Sequence, residues 1–155
     1  MAKRIIHLAM LVAILGVALF GMVGSVSADD VYHTERLSLE PVAGAPLQSG
    51  FVVNIHVNGP NIYAREKYQL NGAAPNTTYE VVLTGYFGAT DCSGTPDLVA
   101  TTAVLTTNIN GNALSEHVFT PADAAGLSGT AGVQWKVMNG GTLDYQTRCT
   151  LVTLD

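Results

Sequence analysis

Charge is scarce in this chain, and so are most of the signatures by which enzymes and nucleic-acid binders are recognised. Only 12% of the residues are charged, and the bases are outnumbered, 7 Lys+Arg against 12 Asp+Glu, for a net −5. That balance argues against DNA, RNA or an anionic membrane surface as partner. No G-x-S-x-G, H-E-x-x-H, phosphate-cradling glycine loop or dinucleotide fingerprint occurs. A single tryptophan, Trp135, leaves little from which to build the aromatic platform of a glycan-binding module. Cysteine is limited to Cys92 and Cys149, too far apart for any zinc spacing. A second long apolar run is also missing near the C-terminus.

The first apolar run sets the expected compartment. Lys3 and Arg4 precede an apolar stretch from Ile5 to Val23, and Ser25-Val26-Ser27-Ala28 offers small residues before Asp29. This is the layout of a signal peptide over residues 1–28. The competing reading is an uncleaved anchor, because the run approaches the ~18-residue lower bound of a spanning helix. Under either reading the rest of the chain is exported, and cleavage leaves a secreted or cell-surface protein whose mature form is not embedded in a membrane. Loss of Lys3 and Arg4 takes the balance to 5 bases against 12 acids, net −7. In an exported chain the cysteine pair is most simply a disulfide, stabilising by roughly 4 kcal/mol in the chain-entropy model.

What remains is rich in Thr, Val, Gly and Asn, an all-β composition. A first strand is expected within His33–Leu39, followed by a Pro- and Gly-bearing connector to Gly50. Phe51–Asn58 alternates clearly, with Phe51, Val53, Ile55 and Val57 taken as the buried set. Asn58-Gly59-Pro60-Asn61 signals a turn, and Ile62–Leu70 a returning strand in which Glu66 falls in phase with Ala64 and Tyr68. An acid in that phase suggests a bulge or a sheet edge. Asn71-Gly72 and Pro75-Asn76 form turns ahead of the Tyr79–Leu83 strand. Leu98–Thr107 and Ala113–Thr120 flank Asn110-Gly111, which signals a hairpin. Pro121–Ala125 offers one helical turn capped by Thr120, and Val133–Met138 and Thr142–Leu154 form a last hairpin. The expected organisation is a leader over 1–28, an N-terminal strand and connector over 29–50, and an antiparallel β-sandwich of about 7–8 strands over 51–155.

One short stretch carries a family resemblance. Gly72, Pro75, Thr77, Tyr79 and Val81 resemble the tyrosine corner of fibronectin type III and immunoglobulin-like sandwiches. The resemblance implies an immunoglobulin-like sandwich, with the Tyr79 hydroxyl bonded to backbone of the Asn71–Pro75 turn. It also implies that Trp135, in phase with Val133 and Val137, is buried beside the disulfide. It is a structural device and implies no activity.

Candidate chemistry is sparse. Ser115-Glu116-His117 has the letters of a triad, but on a strand Glu116 points away from Ser115 and His117. His33, His56 and His117 survive leader removal, and a metal site using His56 and His117 is the alternative to a non-catalytic module. Asn108–Asn112 mimics a calcium loop without a carboxylate. Asn76-Thr77-Thr78 is a glycosylation sequon. A two-residue Gly59-Pro60 turn would oppose His56 to Tyr63, Asn54 to Arg65 and Val52 to Lys67. Asn54, His56, Tyr63, Arg65 and Lys67 would then share an outer face suited to an anionic or polyhydroxylated ligand. The functional expectation is a secreted, non-catalytic module for adhesion, recognition or a structural role. It needs no cofactor, and its partner is an extracellular protein or glycan.

Overall fold

The computed structural model describes residues 32–57, 64–123 and 125–154. The leader expected over 1–28, the Asn58–Asn61 turn and Tyr63 lie outside these residues, as do the side chains of His33 and His56. The alternating, Thr- and Val-rich segments all become strands: β1 (Tyr32–Pro41), β2 (Ser49–Val57), β3 (Ala64–Asn71), β4 (Thr78–Phe87), β5 (Leu98–Thr106), β6 (Ala113–Phe119), β7 (Gly129–Asn139), β8 (Thr142–Thr147) and β9 (Thr150–Leu154). No helix occurs among the described residues; the segment after Pro121 remains a turn in which Asp123 Oδ2 accepts from the Thr120 amide at 2.7 Å and hydroxyl at 2.8 Å.

The strands form one antiparallel sheet in the order β5-β4-β7-β8-β1-β2-β3-β6, with β9 continuing beside β7. β1 joins the two halves by changing partner along its length. Tyr32–Ser38 pairs with β2, and Leu39–Pro41 pairs with β8. The two end strands, β5 and β6, curl back toward each other, so the sheet is nearly barrel-shaped. Residues Tyr32–Asp155 make one compact unit that includes β1.

Three local expectations are corrected. Asn110-Gly111 does not close a hairpin, since β5 pairs with β4 and β6 with β3. The turn instead arches from one edge of the sheet to the other and packs on the Ala73 turn. There the Ala73 amide donates to the Gly111 carbonyl at 3.0 Å, and a Cβ on Gly111 (φ +74°) would overlap the Ala73 backbone. The last strand is interrupted at Arg148-Cys149 and becomes β8 and β9. The third correction concerns Tyr79. It is buried as expected, but its hydroxyl lies 3.2 Å from the Tyr145 hydroxyl, and it is Tyr145 that reaches backbone, donating to the Pro46 carbonyl at 2.8 Å.

The β2–β3 register differs by one residue from that expected. Asn54 opposes Glu66, Val53 opposes Lys67 and Ile55 opposes Arg65. A one-residue slip exchanges the two faces of a strand. Val52 and Asn54 therefore point into the core, while Phe51, Val53 and Ile55 are only half-buried outside. Nor is β3 bulged or at an edge. It lies between β2 and β6 in unbroken register, and Ala64, Glu66, Tyr68 and Leu70 all face inward.

Candidate functional site

Among the described residues Glu66 is the one carboxylate in the core, 2% exposed in the middle of an otherwise apolar face of β3. Burying an acid is costly unless hydrogen bonds replace its water, and three elements supply them. The Trp135 indole N–H on β7 donates to Glu66 Oε2 at 2.8 Å, and the Tyr68 hydroxyl donates to the same oxygen. Tyr68 in turn lies 2.7 Å from Thr102 Oγ1 on β5, which is 3.4 Å from the Val81 carbonyl. The chain of contacts bridges the gap between the two end regions of the sheet. Burial raises the Glu66 pKa from an ordinary 4.5 to about 7, and the Tyr68 and Trp135 bonds lower it in part. Burial, followed by the charge of Glu66, pushes the Tyr68 phenol upward as well.

Glu66 does not end in solid packing. It lies at the inner end of a cavity of about 80 Å³, together with Asn54 and Trp135. That is several times the ~10–15 Å³ needed to admit one water. The walls are apolar, formed by Leu83 and Phe87 at the end of β4, Leu98 at the start of β5, Phe119 at the end of β6, Val133 on β7 and Val152 on β9. These strand ends all converge on one end of the barrel. Exposed Asp123 and half-buried Leu127, in the β6–β7 loop, bring the cavity to the surface. The Thr120 amide and hydroxyl hold the Asp123 carboxyl below the usual range, so the mouth carries a negative charge.

The disulfide braces this end. Cys92, in the β4–β5 loop, is joined to Cys149, between β8 and β9, with the two Cα atoms 5.7 Å apart. Both sulfurs pack on Gly132 of β7, where a Cβ would sit 3.3 Å from each and 2.6 Å from the Ala89 carbonyl oxygen. Trp135, the only tryptophan of the sequence, is buried on the same strand, three residues on from Gly132.

The residues proposed from sequence for a ligand patch are not on one face. Asn54 is buried and lines the cavity, whereas Arg65 and Lys67 are exposed outside, Arg65 with a 3.7 Å ion pair to Glu116. Tyr63 and the His56 side chain lie outside the described residues. Pro75 and Thr77 build the turn before β4, where the Thr77 hydroxyl donates to the Pro75 carbonyl at 3.0 Å. Ser115 and His117 share the inner-facing side of β6, with Glu116 opposite; the His117 ring packs edge-on against Phe119 at 4.5 Å. Among the described residues no three His, Cys, Asp or Glu side chains come together as a metal-binding group. The β1–β2 ladder does set His33 opposite His56, an adjacency hidden in the sequence by 23 residues of chain.

Sequence reasoning registered Glu66 as the discordant residue of its strand but did not read it as a site. The available signal was an acid in phase with Ala64, Tyr68 and Leu70; its partner Trp135, 69 residues away, gave no local sign. No protein-family model, curated protein or solved structure matches this chain, so the geometry alone carries the functional argument.

Proposed function

We propose that the Tyr32–Asp155 unit is an exported, non-catalytic recognition module that works by enclosing a small ligand in the end of its barrel. The observation that carries this reading is the cavity: apolar walls drawn from five strands, a polar inner end, and an opening to solvent. This is the usual composition of small-molecule sites. Apolar walls suit a compact, largely apolar ligand better than a polyhydroxylated glycan. Export is supported by the apolar leader and by the disulfide. The immunoglobulin-like reading of the fold is part of this proposal and is supported by buried Trp135, buried Tyr79 and the Cys92–Cys149 disulfide.

The test is a thermal-shift and NMR screen of neutral apolar fragments against the wild type and Leu98→Trp, whose larger side chain fills the cavity. Fragments that raise the melting temperature of the wild type and not of Leu98→Trp support the reading. A screen in which no fragment distinguishes the two proteins refutes it.

One observation favours a second reading, metal binding. His33 opposes His56 in the β1–β2 ladder, so two histidine positions on neighbouring strands are paired along the backbone, whereas His117 is on β6, separated from β2 by β3. Elemental analysis of the purified exported protein decides it. Stoichiometric zinc or copper, lost in His33→Ala and His56→Ala, supports a metal site, and metal-free protein that binds neither ion removes it.

A further inference from the structure

The lining of the cavity has a charge pattern that goes beyond its apolar character. Among the described residues its two ionisable groups are both carboxyls, Glu66 at the inner end and Asp123 at the mouth. No Lys, Arg or His is among the described residues that line it. An anionic ligand such as a fatty acid would meet the Asp123 carboxylate at the mouth and, wherever Glu66 is ionised, a second like charge in a poorly solvated space, a placement that disfavours it. A ligand with a cationic head would meet opposite charge on entering and again at the end of its path. Around that path stand the aromatic rings of Phe87, Phe119 and Trp135, whose faces also attract cations.

The hydrogen bonds at Glu66 fix where such a head would dock. Trp135 and Tyr68 both donate to Oε2. They hold the carboxyl in one orientation at the inner end of the cavity. We propose that the cavity binds small amphipathic amines, the ammonium at the Glu66 carboxyl and the apolar body along Leu83, Leu98 and Phe119. This rests on the cavity being the binding site, and it names the class of ligand.

Protonation then gates binding. An ammonium gains its full attraction only from an ionised Glu66, so occupancy draws a proton off the acid and binding weakens as pH falls below neutrality. Among the described residues few other groups face Glu66. Tyr68 lies on its own strand, Asn54 opposes it from β2, His117 opposes it from β6, and Asp123 stands at the mouth. Of these His117 is the one imidazole, so it needs its own control. An alkylammonium itself stays charged throughout, like a lysine.

The experiment is calorimetric titration of the exported domain with n-hexylamine, and with 1-hexanol and hexanoate as isosteric probes. Hexylamine is expected to bind at least ~10-fold more tightly than hexanol at pH 8, with hexanoate not binding. Its affinity should fall about tenfold per pH unit below pH 7. Glu66→Gln, which keeps an oxygen for Trp135 and Tyr68, should lose the preference for amine over alcohol and the pH dependence. His117→Gln should keep both. Leu98→Trp should bind none of the three, a check that remains if Glu66→Gln fails to fold. Hexanol binding as tightly as hexylamine, or hexylamine binding equally well to Glu66→Gln, overturns the amine assignment while leaving the cavity a binding site. If none of the probes binds, both readings fall together.

Discussion

A carboxylic acid held neutral by burial makes stability depend on pH with a definite sign. The folded protein keeps the Glu66 proton up to about pH 7, whereas the unfolded chain releases it near 4.5. Between those values the native state binds more protons than the unfolded state, so stability falls as pH rises. The contribution is fully present below pH 4.5 and is lost as pH passes through 7. A pKa difference of this size corresponds to roughly 3 kcal/mol, a large share of the 5–15 kcal/mol typical of a domain. Glu66→Gln keeps the shape and an acceptor for Trp135 and Tyr68 but cannot titrate. Urea unfolding of both proteins from pH 4 to 9, followed by the fluorescence of Trp135, gives the difference directly, and other titrating groups cancel in the comparison. The wild type should lose about 3 kcal/mol relative to Glu66→Gln across that range, most of it between pH 5 and 7. Parallel curves would show that Glu66 is not a buried neutral acid, and the reasoning would fail.

Other consequences follow from the same packing. Cys92→Ser should lower stability by about 2–4 kcal/mol by releasing a 57-residue loop, and the wild type should show no free thiol when denatured. Tyr145→Phe leaves the Pro46 carbonyl and the Tyr79 hydroxyl short of a partner, so it should cost about 1–3 kcal/mol by chemical denaturation. Tyr79→Phe removes one hydroxyl contact only and should cost less, the reverse of what a tyrosine corner at Tyr79 would give. Gly132→Ala forces a methyl against the Ala89 carbonyl and the disulfide, and a loss of at least ~1–3 kcal/mol is expected by thermal unfolding.

Strand content was legible because alternation is a local signal; β4, with Tyr79, Val81 and Leu83 inward, and β7, with Val133, Trp135 and Val137 inward, match the pattern read from sequence. Facing was not legible in β2, where both sets of alternate residues contain apolar groups. Hydropathy favoured Phe51, Val53 and Ile55, yet these lie outside, Phe51 under the Arg36 guanidinium at 3.9 Å. An assumed two-residue turn then set the wrong register, and a slip of one residue carried Asn54 from the expected surface into the core. Asn110-Gly111 misled for a related reason, since a tight turn specifies a reversal of direction but not which strand receives the returning chain. Glu66 illustrates the deeper limit. Its tolerance in the core depends on an indole and a phenol that only the closed sheet brings to it, and no local pattern encodes that meeting.

In the proposed ligand site Glu66 and Trp135 form the inner end. The indole N–H of Trp135, the only tryptophan, reports on it because Nε1 donates to Glu66 Oε2 at 2.8 Å. Its ¹H–¹⁵N resonance should be followed at pH 8 while n-hexylamine is added. A saturable shift of the indole signal, abolished in Leu98→Trp, is the result expected. An indole resonance that stays in place while amides on the outer faces of the strands move would put the site elsewhere and contradict the account.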